Sequence, residues 1–199
     1  MNAEMPIKAA SRHDPAISIF YTQKPVKLFL AFCAGRVVTF YQPKISVPSC
    51  SLYGAEALVR WMHPRHGMIS PDEFVPMAER TRVIKHLTFW VLKQSFEHCS
   101  YWHKQGLDIT ISVNLSSKDL HDPELPDIVA GIAASTGIEP NWIMLEITES
   151  SIMNDPERAL IIINRLHQMG YKFSIDDFGT GYSSLAYLKK IPPHRIKNR

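Results

Sequence analysis

The stretch Asp108-Ile109-Thr110-Ile111-Ser112-Val113-Asn114-Leu115 sets the building rule of this chain. Ile109, Ile111 and Val113 alternate with Thr110, Ser112 and Asn114, the period of two expected of a β-strand, and the polar face ends on Asn114. Residues 143–148 repeat the rule, setting Ile143, Leu145 and Ile147 against Met144, Glu146 and Thr148, so that Glu146 takes the relative place of Asn114. From Tyr171 the pattern returns a third time. Phe173 and Ile175 alternate with Lys172, Ser174 and Asp176, and Asp177 follows before a loop with Gly179 and Gly181. Two adjacent carboxylates at a strand end repel, and a hard divalent cation with oxygen ligands relieves that repulsion. Taken alone, the pair also fits a solvated turn.

Helical patterns separate these strands. One over about residues 124–135 is stopped by Gly137, and another over 160–169 is opened by Asp155-Pro156 and stopped by Gly170. A short helix over about 183–190 and Pro192-Pro193 lead to a last strand fragment at 195–197. Strand starts near 108, 143, 171 and 195 with helices between them argue for right-handed βαβ units and a parallel sheet. The polar, small-residue face of each strand differs from the continuous apolar runs of an open doubly wound sheet and suits the interior of a (β/α) barrel near its catalytic rim.

The first half supplies a different start. Residues 1 to about 26 mix Pro, Lys, Asp, Ser and His without periodicity and read as an irregular arm, leaving 27–199 as one domain. An apolar patch at 27–34 fits a short helix ended by Gly35, and 37–45 and 52–61 read as strands around a turn at 48–51. Glu56 sits among Ala55, Ala57 and Leu58, where a carboxylate is costly unless coordinated or paired, with Arg60 or another base as the partner in the second case. Ser70-Pro71-Asp72-Glu73 has the form of a capping box for a helix to about 79, and 83–105 carries Leu87, Trp90, Val91, Phe96 and Trp102 at the helical spacing of a core face.

Composition narrows the function. The 199 residues are 45% apolar and 21% charged, with a formal net charge of +3, ordinary for one globular core and without the clustered Lys/Arg stripe of a duplex-binding surface. Cys33, Cys50 and Cys99 form no Cys-x-x-Cys pair and suit buried thiols in a reducing compartment. The longest apolar run, 28–34, is too short to span a bilayer, so a cytoplasmic location is expected. In a barrel, Glu56, Asn114, Glu146, Asp176 and Asp177 would converge on one mouth as a hard-oxygen site for magnesium or manganese, and two such ions together clamp the attacking and leaving oxygens in phosphodiester cleavage. The tripeptide Asp177-Phe178-Gly179 also occurs in protein kinases, but no glycine-rich phosphate loop or His-Arg-Asp segment accompanies it.

These residues resemble the EAL family of cyclic di-GMP phosphodiesterases. The resemblance is carried by Tyr41-Gln42-Pro43, Glu56-Ala57-Leu58 with Arg60-Trp61, His63-Pro64, Ile69-Ser70-Pro71, Val113-Asn114-Leu115-Ser116, Leu145-Glu146-Ile147-Thr148-Glu149, and the run from Asp176 to Leu185, in family order over about residues 35–197. It implies a TIM-type (β/α) barrel with an antiparallel first strand, and metal-dependent hydrolysis of cyclic di-GMP to linear pGpG. By the same resemblance Glu56, Asn114, Glu146 and Asp176 are metal ligands, with Asp177 serving a second Mg2+ or Mn2+. Gln42, Leu58 and Arg60 contact the dinucleotide, Arg60 through a phosphate. Glu149 anchors the loop after the fifth strand, Lys197 lies near the attacking water, and the loop 177–185 offers a homodimer contact. Calcium is expected to permit binding and inhibit turnover.

Three departures accompany the match. Arg82 stands where the family has Gly, Asn198 and Arg199 replace the Ile-Asp that follows the family's lysine, and the chain stops at Arg199, before strands seven and eight. The expected fold is therefore a barrel incomplete at its C-terminus, against about 250 residues for a complete one. A weak or inactive phosphodiesterase is expected, the alternative being a catalytically silent EAL module that binds cyclic di-GMP or a protein partner.

Overall fold

The computed structural model describes residues 28, 30–32, 34–81 and 83–176, together with the backbone of 194–196. Strands β1 (Val37–Ser46) and β2 (Ser51–His63) form an antiparallel hairpin that pairs Phe40 with Leu58 and Gln42 with Glu56. Strand β3 (Gly67–Ile69) folds back on the end of β2, pairing Trp61 with Ile69. That strand is absent from the sequence expectation, because three residues beside a glycine are too few to display a period. Helices α1 (Pro71–Glu79) and α2 (Val83–Lys104) follow.

The βα rhythm then begins. Strand β4 (Thr110–Asn114) leads to α3 (Leu125–Thr136), β5 (Ile143–Thr148) to α4 (Glu149–Met153) and α5 (Pro156–Gln168), then β6 (Lys172–Asp176) and β7 (His194–Ile196). The sheet order is β1-β2-β4-β5-β6-β7, with β3 attached to β2; β2, β4, β5, β6 and β7 run parallel and β1 alone among these runs against its neighbour. The expected antiparallel first strand and parallel succession are thus present.

The alternation read from sequence decides which face each side chain takes. Ile111, Val113, Ile143, Leu145, Ile147, Phe173 and Ile175 are buried with Leu92, Phe96, Val129, Ile163 and Leu166 from the helices. The opposite, polar face is not left to solvent: Ser112, Glu146 and Ser174 are also buried. A sheet hidden on both sides, with polar groups on the inner one, is the wall of a (β/α) barrel.

Some local expectations change. The capping box at Ser70 does not form, since the Glu73 N–H is taken by the Ser70 carbonyl at 3.0 Å and the hydroxyl makes no cap bond. Helix α5 starts at Pro156, where Asp155-Pro156 was expected to open it, with Asp155 Oδ1 accepting from Arg158 N at 3.3 Å to close the first turn ahead of the apolar pattern at 160–169. The short α4, capped by Thr148 Oγ1 accepting from Ser151 N, was hidden by the strand pattern it follows directly. Cys99 is buried as expected, whereas Cys50 is exposed in the hairpin turn at φ 49. Cys33, Arg82 and the expected helix at 183–190 lie outside the described residues.

Candidate active site

The register of the sheet assembles the site. Glu56 pairs with Ser112, Asn114 with Glu146, Glu146 with Ser174, and Asp176 with Thr148. Alternation puts all of these on the inner face, with Asn114 two residues beyond the partner of Glu56 and Asp176 two residues beyond the partner of Glu146. Glu56 and Glu146 stand two or more residues inside their strands' ends, while Asn114 and Asp176 end theirs.

Contacts then link three of the predicted ligands. Asn114 Nδ2 donates to Glu56 Oε1 at 3.0 Å. Lys44 Nζ donates to Glu146 Oε1 and to Ser112 Oγ, both at 2.6 Å, and lies 3.7 Å from Glu56 Oε2. The Glu146 side chain is 0% exposed, so its carboxylate requires a cation or several donors, and the ammonium supplies the first. Among the described residues the base beside Glu56 is therefore Lys44 and not Arg60, whose Nη1 donates to Val59 O at 2.8 Å while the guanidinium lies over the Phe40 ring at 5.9 Å. Lys44 and Ser112 are the residues that sequence reasoning missed. The signal was present: Phe40, Gln42 and Lys44 share one face of β1, the face that antiparallel pairing turns toward Glu56.

A cleft of about 530 Å³ opens beside this cluster, walled by Leu58, Arg60, Asp72, Asn114, Ser116 and Asn154. Of the predicted substrate contacts it gathers Leu58 and Arg60; Gln42 is exposed on β1, beside Glu56. A smaller chamber of about 160 Å³ is lined by Lys44, Ser112, Glu146, Lys172 and Ser174. Glu149 is buried at the start of α4, directly after the β5 wall. The loop after Asn114 is held by Asp119, which accepts from Thr88 Oγ1 at 2.8 Å, Ser116 N at 2.8 Å and Ser116 Oγ at 2.6 Å. Burial pushes the Asp119 carboxyl above the usual carboxylate value, against the opposing pull of those hydrogen bonds. Asp177, Lys197 and the loop 177–185 lie outside the described residues.

The EAL domain family profile matches residues 26–198, nearly the whole chain. The chain belongs to the EAL domain family. Over 163 residues it is 42% identical to the "bifunctional diguanylate cyclase/cyclic di-GMP phosphodiesterase MucR" of Pseudomonas aeruginosa, covering 81% of this chain and 24% of that protein. It is 36% identical over 157 residues to "cyclic di-GMP phosphodiesterase PA2567" of the same organism, covering 79% and 27%. The chain thus spans about a quarter of these curated relatives. Among solved structures, the "PaMucR phosphodiesterase, c-di-GMP complex" superposes with a TM-score of 0.84 at 41% identity, covering 88% of this chain and 72% of that one. The arc of strands described above is accordingly the greater part of an EAL barrel.

The inner-face donors of this EAL domain are of one chemical kind. Glu56, Glu146 and Asp176 offer carboxylate oxygens and Asn114 an amide oxygen, a set suited to a hard divalent ion. Among the described residues no three His, Cys, Asp or Glu side chains stand close enough to share one ion. Among the described residues, Lys44 is the positive group that bridges Glu56 and Glu146. Among the described residues no helix is long and apolar enough to cross a membrane.

Proposed function

We propose that this chain is the phosphodiesterase module of a cyclic di-GMP signalling protein, hydrolysing cyclic di-GMP to linear pGpG with Mg2+ or Mn2+. The observation that carries it is the convergence of Glu56, Asn114 and Glu146 on the inner face beside a cleft walled by Leu58 and Arg60. In this reading Glu56, Asn114, Glu146 and Asp176 hold the first metal and Asp177 the second. Such ions supply a Lewis acid and a nucleophilic hydroxide at neutral pH. Gln42 and Leu58 contact the dinucleotide, and Arg60 turns from the Val59 carbonyl to a phosphate, which a guanidinium binds through two donors. Glu149 steadies the following loop, Lys197 lies near the attacking water, and a homodimer forms through 177–185. The expected location is the cytoplasm.

A second reading, binding of cyclic di-GMP without turnover, is favoured by one feature: Lys44 already compensates the two glutamates that a metal would bridge. Chromatographic detection of pGpG in Mg2+ and in Mn2+, beside calorimetry with cyclic di-GMP in Ca2+, separates the two. Turnover that is lost in Glu56→Gln and suppressed by Ca2+ supports the phosphodiesterase. Binding in Ca2+ with no pGpG in either metal supports the silent binder, and absence of both overturns each.

A further inference from the structure

We propose that Lys44 is a built-in counter-cation of the metal site: its ammonium holds the Glu56 and Glu146 carboxylates together when no metal is bound, and it weakens divalent binding there. It is a positioning residue, and the role rests on the metal-dependent reading of this site.

The case starts from burial. A carboxylate that is 0% exposed, as Glu146 is, stays charged only beside positive charge or donors, and Lys44 Nζ meets it at 2.6 Å. The same nitrogen donates to Ser112 Oγ at 2.6 Å and lies 3.7 Å from Glu56 Oε2, so one ammonium touches groups from β2, β4 and β5 while its own stem rises from β1. Lys44 itself is only 16% exposed, which limits how far solvent screens these attractions. Asn114 completes the ring by donating to Glu56 Oε1. With two carboxylates and the Ser112 hydroxyl within reach of the Lys44 ammonium, this wall already has the oxygen donors that a divalent cation would take. A divalent ion entering between Glu56 and Glu146 meets that ammonium at short range in a weakly screened interior, a repulsion that removal of the charge abolishes.

Lys44 thus does two opposite things. It stabilises the empty site and it sets a threshold that metal must exceed. A side chain that merely packs would weaken metal binding when removed, because the ligands would lose their arrangement; a counter-cation strengthens it.

The test uses the full 199-residue chain and Mn2+ alone, with free Mn2+ read by electron paramagnetic resonance and unfolding followed with and without chelator. Lys44→Met is expected to lower the chelated melting temperature by about 10 °C and to tighten the Mn2+ dissociation constant by at least about tenfold. Lys44→Gln, which keeps a donor for Ser112, guards against misfolding of the methionine variant and should tighten Mn2+ equally, while Lys44→Arg should restore wild-type values. Unchanged or weaker Mn2+ binding in both neutral variants, with wild type binding normally, overturns the Lys44 role alone. No Mn2+ binding by wild type or any variant overturns the metal site itself, and the Lys44 role with it.

Discussion

Lys44 and Glu146, 102 positions apart in the chain, meet with Nζ and Oε1 at 2.6 Å. The pair joins the antiparallel first strand to the middle of the parallel sheet, and both members lie largely out of solvent. Removing one partner of a buried pair strips the other of its closest opposite charge, which costs about 3 kcal/mol. Glu146→Leu is therefore expected to destabilise the chelated protein by about 3 kcal/mol in urea unfolding, and adding Lys44→Met should recover about half of the loss. Strictly additive losses in the double variant would show that the two side chains do not depend on each other.

Gly54 lies where β2 runs closest to β4. A methyl group built at this position would stand 2.6 Å from the Thr110 carbonyl oxygen, and backbone cannot swing aside as a flexible side chain does. Gly54→Ala should cost about 1 to 3 kcal/mol and, by prising the strands apart two residues from Glu56, should impair metal binding as well. A melting temperature and Mn2+ affinity equal to wild type would contradict the predicted crowding.

Asp155 closes the first turn of α5 through the bond from Arg158 N. Asp155→Ala is expected to lower stability by about 1 kcal/mol, with Asp155→Ser losing much less, since a hydroxyl accepts the same bond. Both variants should keep wild-type cyclic di-GMP affinity, because the helix lies on the outer layer. Denaturant unfolding and calorimetry read the two halves of this expectation.

The Asp119 carboxyl is held above its usual value of 3.8, chiefly by burial. For an acid whose folded value is raised, the protonated form is the one folding favours, so its stabilising contribution is full below 3.8 and is lost as pH rises through the raised folded value. Asp119→Asn carries no such titration. The stability of wild type relative to Asp119→Asn should therefore fall as pH is raised from about 3.5 to 7, measured by urea unfolding at each pH. A difference that stays flat or grows with pH would contradict the sign.

Much of this was legible along the chain. Alternation at Asp108–Leu115 and its two repetitions gave the parallel strands and the composition of both faces, because a strand's side chains change sides at every residue whatever the strand pairs with. The oxygen donors Asn114 and Glu146 were visible for the same reason, and Glu56 as a carboxylate set among Ala55, Ala57 and Leu58. Less was legible where a local signal competes with backbone geometry: Ser70 has the residue pattern of a capping box, yet its carbonyl took the bond that its hydroxyl was expected to accept.

The sequence by itself determined the strand and helix rhythm, the two-faced wall, the oxygen chemistry of the site and the family, since these follow from local periodicity and residue type. Only the tertiary structure decided that the charge facing Glu56 and Glu146 is Lys44 and not Arg60. That choice depends on which strand lies antiparallel beside β2 and at what register, and a slip of one residue would have turned Lys44 to the opposite face.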